Sequence, residues 1–316
     1  MQNRWTAFAL RRGTRLIISL WVLVSAAFLM IHLVPGDPVR AMLGPTAAPA
    51  LVDQTRENLG LNDPLWEQYL RFLRGLFTGD LGTSITMGLP VSEVLAARLP
   101  NTLTLGLLGF VLAICLALPV GATIAVATRK GRRRGLELSF ASTSVVVATI
   151  PDFLLGVALV AIFGVTLELL PVAWTGGAES YVLPVIALAA GPAAVLSRIV
   201  RVELLSTLDE DFVRTARAKR LSSRRIVLRH ALPNAVTAAL TLGGLMLGTL
   251  VASTVLVENV FAWPGLGSTV VGAILGRDYP LVQAIVLVYG TGVLLVNTLV
   301  DVVLALLDPR STIGDQ

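Results

Sequence analysis

Two histidines, two lysines and one cysteine are the whole supply of the residue types most often used as bases, electrophiles or soft metal ligands in this 316-residue chain. His32 and His230 lie far apart. Neither belongs to an H-E-x-x-H helix, which would place two imidazoles around zinc with a glutamate as base. No G-x-S-x-G turn is present to expose a serine nucleophile. A phosphate-cradling loop requires G-x-x-x-x-G-K-[ST], and neither Lys130 nor Lys219 follows such a run. Hydrolysis, of ATP or of peptides, is therefore not expected of this polypeptide, nor is a metal or cofactor of its own. Cys115 has no second thiol with which to pair. What remains are isolated polar groups in apolar surroundings. Asp152 follows Pro151 in "TIPDFLLG"; an ionisable group at membrane depth is costly and marks a solute path by default. The alternative is that its carboxylate satisfies backbone donors freed at the proline kink. Ser253 and Asn297 join Asp152 as the polar candidates for a translocation pathway. The bland reading makes Asn297 glue between helices and Asp301 a charge at the cytoplasmic end of the sixth span, and many Ser and Thr residues in such tracts are helix-packing groups or bond back to their own helix.

One stretch breaks this sparseness. "DEDFVRTARAKRLSSRRIVLRHALPNA", Asp209 to Ala235, packs seven arginine and lysine side chains and His230 between two apolar tracts. The elements around it explain why that is unusual. The chain is 55% hydrophobic and 14% charged, with a mean hydropathy of +0.79, so a soluble fold would lack the polar surface to cover its core. The net charge is +5. Because the cations fall between apolar tracts and not on one face of a soluble domain, nucleic acid is excluded as a partner and a lipid bilayer is required.

Six apolar runs are each long enough to cross the roughly 20 residues of a bilayer core: 16–34, 103–127, 138–170, 182–200, 235–257 and 281–307. The expected fold is an all-α polytopic membrane protein, a single domain over 1–316, with six transmembrane helices. The first run is longer than a secretory h-region and has no A-x-A site after it, which makes it a retained span. The third could be two short spans, but charge decides against splitting it. With one crossing there, 19 of the 25 Lys and Arg residues fall on the side of both termini and six on the other. The positive-inside rule then puts the N- and C-termini and the 203–233 connector in the cytoplasm. No internal repeat or low-complexity linker is visible.

The exterior segment 35–100 has five basic and seven acidic residues. Within "NDPLWEQYLRFLRGLFTGDLG", Asp63 suits a helix cap and Pro64 a first turn. Leu65, Trp66, Tyr69, Leu73, Leu76 and Phe77 then recur at helical spacing until Gly79. Such a face packs on a neighbour or lies at the membrane interface. In the connector, Thr207 and Glu210 stand in a capping-box relation, and Asp209, Glu210 and Asp211 place negative charge at a helix N-terminus. "LSS" interrupts the run, Ser222 or Ser223 caps a second short helix, and Pro233 ends it before the fifth span. Two capped helices joined by a tight turn exceed what topology alone or attraction to anionic lipid would require.

This connector resembles the EAA loop of binding-protein-dependent ABC importer permeases. Arg214, Thr215 and Ala216 occupy its Glu-Ala-Ala positions, Arg220 its Gly, and Leu232-Pro233 its Leu-Pro. The form "RTARAKRL" is similar to the peptide and nickel branch, first-permease type. "VPGDP", "LGLNDPLWEQYLRFLRGLFTGDLGTS", "VENVFAWPGLGSTVVGAILGRDYPLVQ" and "LVDVVLALLDPR" match the same branch in the same order. The resemblance implies a type I permease fold in the bacterial plasma (inner) membrane, importing peptides or related small solutes. It implies a second homologous permease forming a pseudo-two-fold heterodimer, two ABC ATPase subunits that bind ATP and magnesium, and an extracytoplasmic solute-binding protein that docks on 35–100. It implies that Asp211, Phe212, Ala216, Arg217, Lys219 and Leu221 contact the ATPase. Arg220 departs from the pattern, since glycine adopts positive φ freely whereas arginine is strained there by about 1 kcal/mol. A secondary transporter or channel working without ATPase partners is the alternative, and it has no use for a capped helical socket; an assembly factor that uses the same architecture without transport is a third reading.

Overall fold

The computed structural model describes residues 2–33, 38–44, 46–58 and 60–307. In chain order the helices are α1 (Gln2–Leu33), α2 (Pro38–Leu43), α3 (Pro49–Asn58), α4 (Leu65–Thr78), α5 (Val91–Thr128), α6 (Arg134–Thr149), α7 (Asp152–Leu159), α8 (Val182–Thr207), α9 (Asp211–Ala218), α10 (Ser223–Arg225), α11 (Leu232–Val260), α12 (Leu266–Leu275) and α13 (Tyr279–Leu307). Among the described residues the only β pairing is one isolated bridge, Thr83 to Pro90. The "VPGDP" turn at 34–37 and the chain end from 308 lie outside the described residues.

Each expected apolar run is helical over most of its described length, the third ending at Thr166. Thr6–Leu33, Val91–Gly131, Ala178–Thr207 and Tyr279–Val303 are long and apolar enough to cross a membrane, and α11 extends over the expected 235–257 run. The third run differs from a single straight span. Its halves, Arg134–Thr149 and Asp152–Thr166, meet at 96°. Pro151 supplies no N–H and forces Ile150 before it into an extended conformation, ψ 123°, so the helix breaks there. Beyond Leu159 the chain continues as a π-helix, Val160–Thr166.

The chain divides into two compact units. The first joins residues 1–102 to 264–294. In it α4 lies along α1: Phe28 contacts the rings of Tyr69 and Phe72 at 5.2 and 5.8 Å, and Ser25 and Tyr69 share a hydrogen bond of 2.8 Å. Gly79 closes α4 in the left-handed conformation, φ 77°, as expected of a C-terminal glycine. Asp63 does not cap the helix; it pairs with Arg71. The apolar stripe of α4 is not fully covered, Phe77 being 90% exposed. In the same unit Asp278 is fully buried, and it accepts from Ser84 Oγ at 2.5 Å, Thr86 N at 3.0 Å and Thr86 Oγ1 at 2.8 Å. Burial raises this carboxyl, but the donors from Ser84 and Thr86 outweigh it and hold the group below the usual carboxylate range.

The second unit joins residues 103–263 to 295–316. Its helices approach closely where glycine removes a side chain. A Cβ on Gly121 of α5 would stand 2.5 Å from the Ser197 carbonyl of α8, and one on Gly244 of α11 would stand 2.8 Å from Val300 of α13. Gly244, the first glycine of the G-x-x-x-G stretch Gly244–Gly248, thus packs against another helix of this chain. One end of α5 and α8 meets α11 in a core of Leu105, Leu183, Leu188, Leu250, Val257 and Phe261, closed by the edge-to-face rings of Trp174, Tyr181 and Trp263. The other end carries the connector.

The 203–233 connector as candidate functional site

α8 runs to Thr207, whose hydroxyl donates back to the Glu203 carbonyl at 2.8 Å. Thr207 therefore finishes α8 and does not form the expected capping box. α9 begins instead after Glu210, which is extended at ψ 154° and has no side-chain cap. At eight residues α9 is too short to persist alone. Its stability comes from Val213 and Ala216, which enter a core with Ala122 and Ala125 of α5, Leu204 and Leu208, and Ile226 and Ala231 beyond the turn.

The six expected contact residues differ in exposure. Ala216 is only 8% exposed and packs on its own chain, and Leu221 is half-buried against the same core. Asp211, Phe212, Arg214, Thr215, Arg217 and Lys219 are exposed. Phe212, at 43%, is the large apolar side chain among them. Asp211 and Arg214 pair at 3.1 Å, one turn apart.

The turn after α9 is a Schellman closure. Arg220 N donates to Arg217 O at 2.8 Å, and Leu221 N donates to Ala216 O at 3.3 Å. The residue between these bonds must be left-handed, and Arg220 is, with φ 55°. Arginine here takes the left-handed conformation that glycine would adopt without strain. Leu221 covers Ala216 from the far side of the turn, the apolar contact that usually accompanies this closure. Ser222 then accepts from Arg225 N at 3.4 Å and caps α10, one of the two serines expected to do so. Pro233 does not end the second helix. A π-helical segment, Ile226–Ala231, carries α10 directly into α11. The wider π turn accommodates the ring and the missing N–H of Pro233, and the Asn234 side chain donates to the His230 carbonyl at 2.9 Å.

The short loop between α5 and α6 anchors the connector, a role that charge counting did not reveal. Arg129 donates to Leu208 O at 2.9 Å and to Asp209 Oδ1 at 2.7 Å. Arg217 donates to the same Leu208 carbonyl at 3.3 Å. An open carbonyl at the C-terminus of α8 thereby receives two guanidinium groups, which also suit the negative end of the helix dipole. The Arg129 guanidinium holds the Asp209 carboxyl below its usual range. Nearby, Arg201 donates to Glu137 Oε1 at 2.5 Å and to Thr128 Oγ1 at 3.3 Å, tying α8 to α6 and to the end of α5.

Of the polar pathway candidates, two come together. The Ser253 side chain of α11 hydrogen-bonds Asp152 at the start of α7, and Gly191 of α8 leaves the space beside that carboxylate open, a Cβ there falling 3.4 Å from Asp152 Oδ1. Asp152 does not cap its own helix; Leu154 N and Leu155 N both take the Pro151 carbonyl, at 2.9 and 3.0 Å. The carboxylate is thus turned across to a neighbouring helix. Asn297 lies half-buried on α13, three residues before Val300.

Comparison with known proteins agrees with this architecture. Residues 117–313 match the family model described as binding-protein-dependent transport system inner membrane component, and residues 5–106 match that of its N-terminal region. The chain is 38% identical over 303 residues to the glutathione transport system permease protein GsiC of Salmonella paratyphi A, and 35% identical over 302 residues to that of Escherichia coli (strain K12). Both alignments cover 96% of this chain and 97% of the relative. Among solved structures, inward-facing forms of the MetNI methionine ABC transporter share the fold, with TM-scores of 0.52 and 0.55 at 22% and 19% identity. They cover 69% and 68% of this chain and 94% and 97% of theirs. The chain belongs to the family of binding-protein-dependent transport system inner membrane components, and is an inner-membrane ABC importer permease.

Proposed function

We propose that this permease is driven through α9, which seats in a groove on a cytoplasmic ATPase subunit. The observation that carries this reading is the two-sidedness of α9. Val213 and Ala216 fasten it to the helix ends above, while Phe212 stands exposed among Asp211, Thr215 and Lys219. An apolar anchor ringed by charge is the usual makeup of a short protein–protein contact, with the ring fixing register. ATP and magnesium are then bound by two partner ATPases and not by this chain. A second homologous permease completes the pathway, and six spans with both termini inside account for the charge distribution. Asp152, with Ser253 beside it, lines that pathway together with Asn297. A solute-binding protein docks on the exterior segment 35–100, where the uncovered stripe of α4 offers Trp66 and Phe77. The cargo is a small peptide of about glutathione's size, in keeping with the names of the relatives.

Phe212→Asp tests the coupling. The variant is expected to reach the membrane in normal amount while its ATPase is retained about tenfold more weakly or worse, the scale of a central apolar anchor. Full retention of the ATPase, with normal ATP-dependent uptake of glutathione or a tripeptide into vesicles, would remove the assignment.

A further inference from the structure

We propose that the groove between the end of α5 and the α10–π segment holds one anionic phospholipid. The groove measures about 430 Å³. Ala122, Val126 and Ala127 form one wall, Val227 and Leu228 the other, and Arg224 stands at the rim. The α5 wall is made by the last turns of the apolar run 103–127, so the groove opens at the boundary between acyl chains and headgroups. Arg224, Arg225 and Arg229 are exposed and form no ion pair among the described residues. Two of the three acidic groups at the start of the connector are already engaged, Asp209 by Arg129 and Asp211 by Arg214. An apolar slot at acyl depth beneath an unpaired guanidinium complements a lipid phosphate, which Arg engages through two parallel N–H donors, with its tail in the slot. Seated there, the lipid braces the π-helical segment that joins the connector to α11. The proposal rests on the cytoplasmic placement of the connector only for which leaflet supplies the lipid.

The test uses the assembled permease–ATPase complex in phosphatidylcholine nanodiscs, probed with spin-labelled phosphatidylglycerol and spin-labelled phosphatidylcholine. Wild type should immobilise phosphatidylglycerol preferentially, and Arg224→Gln should lower that preference about fivefold, the weight of one basic residue at a membrane surface. Val126→Trp, which fills the slot, should release the immobilised lipid, whereas Arg132→Gln, off the groove, should change neither quantity. Equal losses in Arg224→Gln and Arg132→Gln would reduce the effect to diffuse surface attraction and overturn the site. So would a Val126→Trp variant that sheds a protein subunit while lipid immobilisation stays as in wild type, because the slot would then be a protein interface. ATPase retention is scored separately on every variant. Full ATPase retention in Phe212→Asp with the lipid preference intact would sink the coupling reading alone, whereas weakened retention in Phe212→Asp with no lipid preference in wild type would sink this one alone.

Discussion

Arg220 shows how much strain one backbone angle can carry at a functional turn. Its φ of 55° is set by the two hydrogen bonds that close α9, and a Cβ there costs about 1 kcal/mol relative to glycine. Arg220→Gly is therefore expected to raise the midpoint of thermal unfolding of the solubilised complex, by a stability gain of up to about 1 kcal/mol. Arg220→Val should lower it, since β-branched side chains tolerate positive φ worst. Identical midpoints in the three proteins would show that the turn relaxes to another geometry. Asp278 makes a different point, because its charge is held by donors and not by a cation. Its folded-state value lies below the ordinary 3.8. The stabilisation is thus complete above the ordinary carboxylate range and is lost as pH falls through the lowered value. Asp278→Asn turns an amide toward the Ser84 and Thr86 donors and should cost about 1.5–3 kcal/mol at neutral pH. It should also flatten the acid limb of an unfolding curve measured against pH. An acid limb unchanged in the variant would place the sensitivity elsewhere.

Helix pairing depends here on absent side chains as much as on present ones. Gly121→Ala forces a methyl against the Ser197 carbonyl, a backbone atom that cannot rotate away. It should separate α5 from α8 and cost about 1–3 kcal/mol, seen as a lower folded yield and a lower unfolding midpoint. An unaffected variant would mean that the two helices slide freely. The elements themselves were legible in the sequence: apolar runs marked the long helices, Gly79 the end of α4, and acidic residues the start of α9. Their facing was less so. Periodicity allows Val213 and Ala216 to share a face but does not say that this face packs on the ends of α5 and α8. Pro151 and Pro233 are the same residue type in similar apolar settings, yet one breaks its helix and the other does not. The difference lies in the π-helical turn ahead of Pro233, which propensity does not record. The bond from Arg129 to Asp209 spans 80 positions, beyond the reach of any local pattern.

For the whole molecule, orientation is the property most open to direct measurement. In a Cys115→Ser background, Ser223→Cys should react with a membrane-impermeant maleimide only from the cytoplasmic face, and Gly88→Cys only from the opposite one. Labelling of both from one side would overturn the six-span arrangement and the placement of α9 with it. The doubly held Leu208 carbonyl bears on how such a molecule moves. Arg129 and Arg217 both donate to this oxygen, so the joint between α8 and α9 is held by two guanidinium bonds and not by the backbone alone. On the proposed coupling, a tilt imposed at Phe212 would pass through these two bonds to the roots of α5 and α8.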